Sequence, residues 1–394
     1  MICLRKHLDE KCIQVMADSS SAPECAAAST RCTTPIIEDM TEPDTRALAA
    51  DDRGTGRPRT GPSMADVAAR AGVSGQTVSR VANGSHSVLP RTRDKVLAAM
   101  NALGYSPNTA ARALRNGAFE TIGVIAHKLS RTGESRTVEA VVEAARSAGH
   151  TVTLLDVATP SSQDVAEAAF RLSHQAIDGL VIIRAEIESP EKLALPPQLP
   201  VVVSDSQFLG HLPTVGADQE SGTRAAVEHL LDLGHRTVHL LAGPLASAPA
   251  SFRRATWEQT LTEHGREIRA PFQGDWSSES GYAAAAAIMN DPDVTAVFCA
   301  NDEMAAGLML ALHEAGISIP NDISIVGFDN VPLSKFLWPP LTTVNQDFES
   351  IGRRLVEVLL EQIATGPTLG DHRDLVPAEI IVRASTAAPR ASAR

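Results

Sequence analysis

Two hydrophobic patterns follow one another along the chain. Between residues 64 and 104 the apolar positions fall at helical spacing. Met64, Val67, Ala68 and Ala71 lie on one face of a first helix, and Gly72 predicts its end. Ser74 suits the N-cap of a second helix over 75–83, with Val78, Val81 and Ala82 inward. Pro90 opens a third helix with a stripe of Val96, Ala99, Met100 and Leu103, stopped by Gly104. From Thr121 the pattern changes to short runs typical of buried strands: 121–126, 151–157, 179–184, 200–205, 237–243, 296–302, 323–329, 341–347 and a last one at 379–385. Helical stretches fall between most of them, at 135–148, 221–233, 251–263, 279–289 and 302–315. Such alternation predicts parallel sheets covered on both faces, and the length of this region predicts two α/β subdomains.

The first 60 residues lack this periodicity. They read as a disordered leader, of the kind a start codon placed too far upstream would add. Charges at Arg5, Lys6, Asp9, Glu10 and Lys11 interrupt any signal-peptide core, and no apolar run of about 18 residues occurs, so a cytoplasmic protein is expected. Cys3, Cys12, Cys25 and Cys32 fall in the leader without metal-ligand spacing, and Cys299 reads as a core residue. No metal and no cofactor is expected.

Net charge is -12, which argues against a nucleic-acid partner until it is divided along the chain. Residues 53–116 hold ten basic side chains and two acidic ones, a net +8 between an acidic leader and an acidic remainder. That is the footprint of a nucleic-acid-binding module joined to another domain. The first two helices, joined by a tight Gly-containing turn, form a helix-turn-helix signature. Gln76, Thr77, Ser79, Arg80 and Asn83 face outward on the second. Arg pairs with guanine and Gln or Asn with adenine in the major groove, and the hydroxyls of Ser74, Thr77 and Ser79 suit phosphates or base edges. A merely solvated polar face would look the same.

This stretch resembles the lac repressor family of bacterial transcription regulators. The resemblance is carried by Asp66-Val67-Ala68, by Ala71-Gly72-Val73-Ser74, and by Thr77, Val78, Ser79, Arg80, Val81 and Asn83. It continues through Thr92, Arg93, Lys95, Val96, Leu103, Gly104, Tyr105, Pro107 and Asn108, and covers about 62–388 in all. It implies a DNA-binding domain at 61–106 with 75–83 as recognition helix. A hinge and linker at 107–118 follow, in which 108–115 orders on DNA, Leu114 wedges into the minor groove and Arg112 lies near phosphates. An effector and dimerisation domain at 119–388 with a periplasmic-binding-protein-like fold comes next, then a tail at 389–394. The expected architecture is an all-α helix-turn-helix headpiece on an α/β core of two parallel-sheet subdomains.

Polar residues collect at strand C-termini: Asp205, Asn301, Asp302, Asp329, Gln346 and Asp347. Ligands bind there in open α/β sheets. Asp302, ahead of a helical run, reads as that helix's N-cap. The resemblance is strongest at LLAGPL, GDWSSESG, ANDEMAAG and PPLTTVNQDF, and places Asp205, Arg253, Trp276, Asn301, Asp329, Gln346 and Phe348 at effector-contacting positions. A Trp face suits a sugar ring, and Arg253 with Asp329 can bracket vicinal hydroxyls. The sequence departs from the family's namesake at Gly75, Thr159 and Ile183 and in the polar loop KLSRTGES, which leaves galactoside specificity open. A sugar or glycoside effector is expected. Without leucine heptads after the last strand, a homodimer on a palindromic operator is expected. The resemblance implies a repressor released by its effector, with a corepressor-type ligand as the alternative. No G-x-S-x-G, no G-x-G-x-x-G after the first strand and no H-E-x-x-H occurs, so an enzyme is not expected. A transport protein would need a secretory signal and no DNA module.

Overall fold

The structure, a computed structural model, describes residues 61–85, 87–106, 117–159, 161–183, 194–204, 212–367 and 373–390. The leader, the hinge segment with Arg112 and Leu114, and Asp205 lie outside the described residues.

Three short helices make the N-terminal headpiece: α1 (Met64–Ala71), α2 (Gly75–Ala82) and α3 (Pro90–Leu103). Each starts and stops for a local reason. Ser63 and Asp66 form a reciprocal capping box on α1, satisfying amides that the helix cannot. Gly72 turns the chain at φ 64, a left-handed conformation that costs glycine little. Ser74 caps α2, Pro90 opens α3, and Gly104 closes it at φ 63. A small core of Val67, Ala68, Val78, Val81, Val96, Ala99 and Met100 holds the three together. Met64 is not part of it. At the first position of α1 it remains 37% exposed, because the helix begins beyond the edge of its partners.

The α/β region contains two six-stranded sheets. The first has the order β11-β5-β4-β3-β1-β2, built from β1 (Thr121–His127), β2 (Thr151–Val157), β3 (Gly179–Ile183), β4 (Val201–Ser204), β5 (Thr214–Ala217) and β11 (Arg373–Val376). Its strands are all parallel, with Ile125 opposite both Leu155 and Ile182. The second has the order β12-β10-β9-β8-β6-β7, built from β6 (His239–Ala242), β7 (Phe272–Gln273), β8 (Ala296–Cys299), β9 (Ser324–Asp329), β10 (Thr342–Gln346) and β12 (Ala378–Ile381). Here β12 pairs antiparallel with β10, so the second sheet is parallel except at that edge.

Helices α4 (Thr132–Ser147), α5 (Ser162–Ser173) and α10 (Phe348–Thr365) serve the first sheet. Helices α6 (Gln219–Asp232), α7 (Ala248–Glu263), α8 (Ser278–Asn290) and α9 (Asp302–Glu314) serve the second. Strands covered on both faces explain the unbroken apolar runs, such as the fully buried β3. Cys299 sits in the core of the second sheet, and burial raises its thiol pKa, as expected of a packing residue.

The chain passes between the sheets three times: at 217–219, from β5 into α6; at 346–348, from β10 into α10; and at 376–378, from β11 into β12. The first and third of these passages touch, because the Asp218 amide donates to the Val376 carbonyl at 2.8 Å.

Candidate functional site

Gln76 and Arg80 on α2 and Asn83 at its C-cap are exposed and spaced i, i+4, i+7, which puts them in one stripe. Thr77 and Ser79 are half-buried beside it. Ser74 accepts the Thr77 amide at 3.2 Å and shares a 3.0 Å hydrogen bond with the Thr77 hydroxyl, so both hydroxyls also fix the start of the helix. The Asn83 side-chain amide donates to Ser79 Oγ at 3.3 Å. Arg93, one of the ten basic residues, is committed elsewhere: it donates to the Ser85 carbonyl at 2.5 Å and ties the loop after α2 to α3. Arg80→Ala is therefore expected to cost about 1–3 kcal/mol of discrimination between an operator and a shuffled duplex. Fluorescence anisotropy on both duplexes checks this; equal losses on the two would make Arg80 a phosphate contact.

A cleft of 390 Å³ opens where the carboxyl ends of the two sheets face each other. One wall is the turn after β1 and the start of α4, with Lys128, Arg131 and Glu134. The other carries Arg253, Asp275, Trp276, Glu279, Asn301, Glu303 and Asp329. The cleft thus brings together Arg253, Trp276, Asn301 and Asp329 of the residues expected at the effector site.

Arg253, on α7, is buried, which requires every charge-bearing direction of its guanidinium to be met. Its Nη1 donates to the Ala300 carbonyl and its Nε to Gln219 Oε1 at 2.8 Å. Its Nη2 lies 3.6 Å from Asp329 Oδ1. Its flat face stacks 3.7 Å from the Phe328 ring centroid and 5.5 Å from that of Trp276. Trp276 stands at φ 79 with its ring against Gly243, where a Cβ would come within 2.5 Å of a ring carbon. Its Nε1 is buried without a hydrogen-bond partner among the described residues, a polar handle beside the cleft. Asn301 caps α9 through the Met304 amide at 3.0 Å and donates to the Trp276 carbonyl at 3.0 Å, fixing the backbone under that ring.

Asp275 is held below the ordinary carboxylate range by hydrogen bonds from the Ser277 side chain and backbone, with Arg131 across the cleft adding to the effect. Asp329 closes β9 at φ 114, and Asn330 follows at φ 52. Both conformations are uncommon for these residues and need support. Gln346 donates to Asp329, while Arg383 and Asn345 hold the Asn330 side chain.

Asp302 is not the cap of α9; Asn301 is. Asn and Asp in succession both suit a cap, but only one can stand outside the helix. Asp302 is instead buried, accepting from the Val331 amide at 2.9 Å, from Thr343 Oγ1 at 2.5 Å and from Ser334 Oγ. Burial pushes its pKa up from 3.8 to about 6, against the pull of those hydrogen bonds. A raised pKa in the folded protein contributes stability below about pH 4 that is lost as pH rises through about 6. At about 1.4 kcal/mol per unit this amounts to about 3 kcal/mol. Asp302→Asn is expected to flatten this part of the stability profile, and urea melts at pH 4.5 and 7 measure it. An undiminished fall between those values would assign the titration to another group.

Of the other residues expected at the effector site, Asp205 lies outside the described residues, and Gln346 and Phe348 are not among those lining the cleft. Gln346 is buried behind Asp329, and Phe348 is buried at the start of α10. Ile183 is buried at the end of β3, and Thr159 donates to Asp164. Gln219, which carries no recognisable signature in sequence, joins the site through Arg253. Glu303 and Glu279 were visible only as polar residues inside the stretches that carry the resemblance.

Residues 63–108 match the description "Bacterial regulatory proteins, lacI family", and residues 227–386 match a "Periplasmic binding protein-like domain". The lactose operon repressor of Escherichia coli K12 is 37% identical over 331 residues, which is 83% of this chain and 91% of that protein. The ribose operon repressor of the same strain is 31% identical over 317 residues, 79% of this chain and 96% of the relative. Among solved structures, the lac repressor dimer bound to operator and the anti-inducer ONPF matches with TM-score 0.73 and 35% identity, covering 84% of this chain and all of that one. A complex of the transcriptional regulator CelR with cellobiose matches with TM-score 0.61 and 28% identity, covering 82% and 99%. Headpiece, two-sheet core and these likenesses agree: the chain belongs to the lacI family of bacterial regulatory proteins.

Proposed function

We propose that this protein is a dimeric transcriptional repressor. In this reading α2 reads operator DNA through Gln76, Arg80 and Asn83, and a sugar or glycoside binds between the two sheets and releases the DNA. The observation that carries it is one chain holding both a polar α2 stripe and a cleft whose two walls come from different subdomains. A ligand touching both walls changes their relative free energy and can shift a DNA-binding equilibrium by its differential affinity. Related proteins support the reading, since a matched solved structure holds the lac repressor with operator and another holds CelR with cellobiose.

The cleft favours a neutral polyhydroxyl ligand over an anionic one. Its walls present five carboxylates (Glu134, Asp275, Glu279, Glu303 and Asp329) against three cations (Lys128, Arg131 and Arg253). A sugar phosphate would meet net repulsion, whereas hydroxyls can donate to the carboxylates. Among the described residues no helix is long and apolar enough to cross a membrane, and a cytoplasmic location belongs to this reading.

A gel-shift titration on the region upstream of the protein's own gene, with neutral glycosides and matched sugar phosphates, tests the proposal. Release by a neutral glycoside is expected. Absence of specific DNA binding at moderate salt would sink the repressor reading, and tighter binding on adding ligand would reverse the sign of control.

A further inference from the structure

Two glutamines join the cleft to the passages between subdomains. Gln219 is the first residue of α6 and ends the passage at 217–219. Gln346 is the last residue of β10 and begins the passage at 346–348. Both are buried, and Gln219 Nε2 donates to Gln346 Oε1 at 3.1 Å, across 127 residues of sequence. Each also reaches a charged cleft residue: Gln219 Oε1 accepts from Arg253 Nε, and Gln346 Nε2 donates to Asp329. Arg253 and Asp329 then face each other at 3.6 Å, which closes the circuit.

The order of atoms in this circuit is forced. A guanidinium only donates and an ionised carboxylate only accepts. Asp329 requires the nitrogen of Gln346, which leaves the Gln346 oxygen facing Gln219. Arg253 requires the oxygen of Gln219, which leaves the Gln219 nitrogen facing Gln346. Both amides thus run head to tail between two opposite charges, and reversing either one sets like atoms against each other. Such a chain is stiff, and it polarises as a unit.

We infer that Gln219 is a positioning residue, which orients Arg253 in the cleft and ties Arg253 and Asp329 to two of the three passages that join the subdomains. Any group that changes how Arg253 and Asp329 share their hydrogen bonds changes the tie between those passages. The meaning of this tie for regulation rests on the cleft being the effector site; the tie itself does not.

The test uses the whole chain without ligand. Amide hydrogen exchange is read at Asp218, which donates to Val376, and at Ser350, which donates to Asp347 Oδ1 at 3.0 Å. Gln219→Glu keeps size and the acceptor for Arg253 but loses the donor to Gln346. It is expected to speed exchange at both amides about fivefold, the worth of one net hydrogen bond. A residue serving only to fill space would leave exchange unchanged in this variant, and that result overturns the inference. Gln219→Leu and Arg253→Met are then combined. Non-additive effects at Ser350 are expected, because both changes cut the same circuit. Independent multiplication of the two effects would also overturn it. If Arg253→Met does not fold, the glutamate variant decides alone. Gel shifts with the neutral glycosides keep the two readings apart: altered exchange with no glycoside response in the wild type would retain the tie and reject the effector site.

Discussion

Trp276→Ala is expected to bind DNA as the wild type does and to lose its response to the effector. Among the described residues lining the cleft, the indole supplies the one large flat apolar surface, beside carboxylates that accept hydrogen bonds from hydroxyls. Burying a sugar face against it supplies much of the affinity that hydrogen bonds, exchanged with water, do not. The ring centroid also lies 5.5 Å from the Arg253 guanidinium, so removing it takes away one of the aromatic rings beside that charge. Trp276 lies outside α1 to α3, so DNA binding measured without effector serves as the internal control. Gly243→Ala makes the complementary change, pushing the ring from behind without altering cleft chemistry, and should weaken the response in the same direction. A normal response in Trp276→Ala would remove the cleft from consideration as the effector site.

Gly307→Ala is the second large effect, and it acts on stability. Helices α8 and α9 cross so closely that a Cβ at Gly307 would stand 1.8 Å from the Ser278 carbonyl oxygen, and one at Gly281 would stand 2.0 Å from that of Met304. These are backbone atoms, so no rotamer change relieves the overlap and the helices must part. We expect a loss of about 3 kcal/mol, the upper end for overpacking, in chemical denaturation. Because α8 begins just after Trp276, glycoside affinity should fall as well. A variant as stable as the wild type would mean that the two helices are not held at this distance.

Much of this fold could be read from the sequence because its strands are buried on both faces. Runs such as 121–126 and 179–184 have no reason to be so apolar outside a covered parallel sheet. The elements that went unread are those whose residues carry weak signals. Strand β5 is four residues with a glycine, β7 is two residues, and β11 is a half-exposed edge with two charges. Helices α5 and α10 fall outside the helical stretches marked in sequence, although the apolar spacing of α10 at Ile351, Leu355, Val358 and Leu359 is plain once its partner sheet is known. In the site, Arg253, Trp276, Asn301 and Asp329 stood out by resemblance and by chemistry. Gln219 did not, because its role depends on which oxygen and nitrogen face which charge, and only the fold brings 219, 253, 329 and 346 together. Asp302 looks like a cap in sequence for a related reason: a carboxylate's partners at 331, 334 and 343 cannot be seen from its own neighbours.

The three passages between sheets also bear on how the chain is made. Neither subdomain is a continuous piece of sequence. The first sheet receives its edge strand and the helix α10, whose Leu355 and Leu359 pack against Val124 and Val181, only from residues beyond 347. During synthesis its apolar face therefore waits until almost the whole second sheet has left the ribosome. The half that is translated first is completed after the bulk of the other, and a chain cut short at 340 would hold an open core rather than a smaller regulator. The same interleaving restricts exchange between relatives. A chimera joined within the core would give one sheet a strand and a helix fitted to another protein, whereas the headpiece helices lie in one uninterrupted segment.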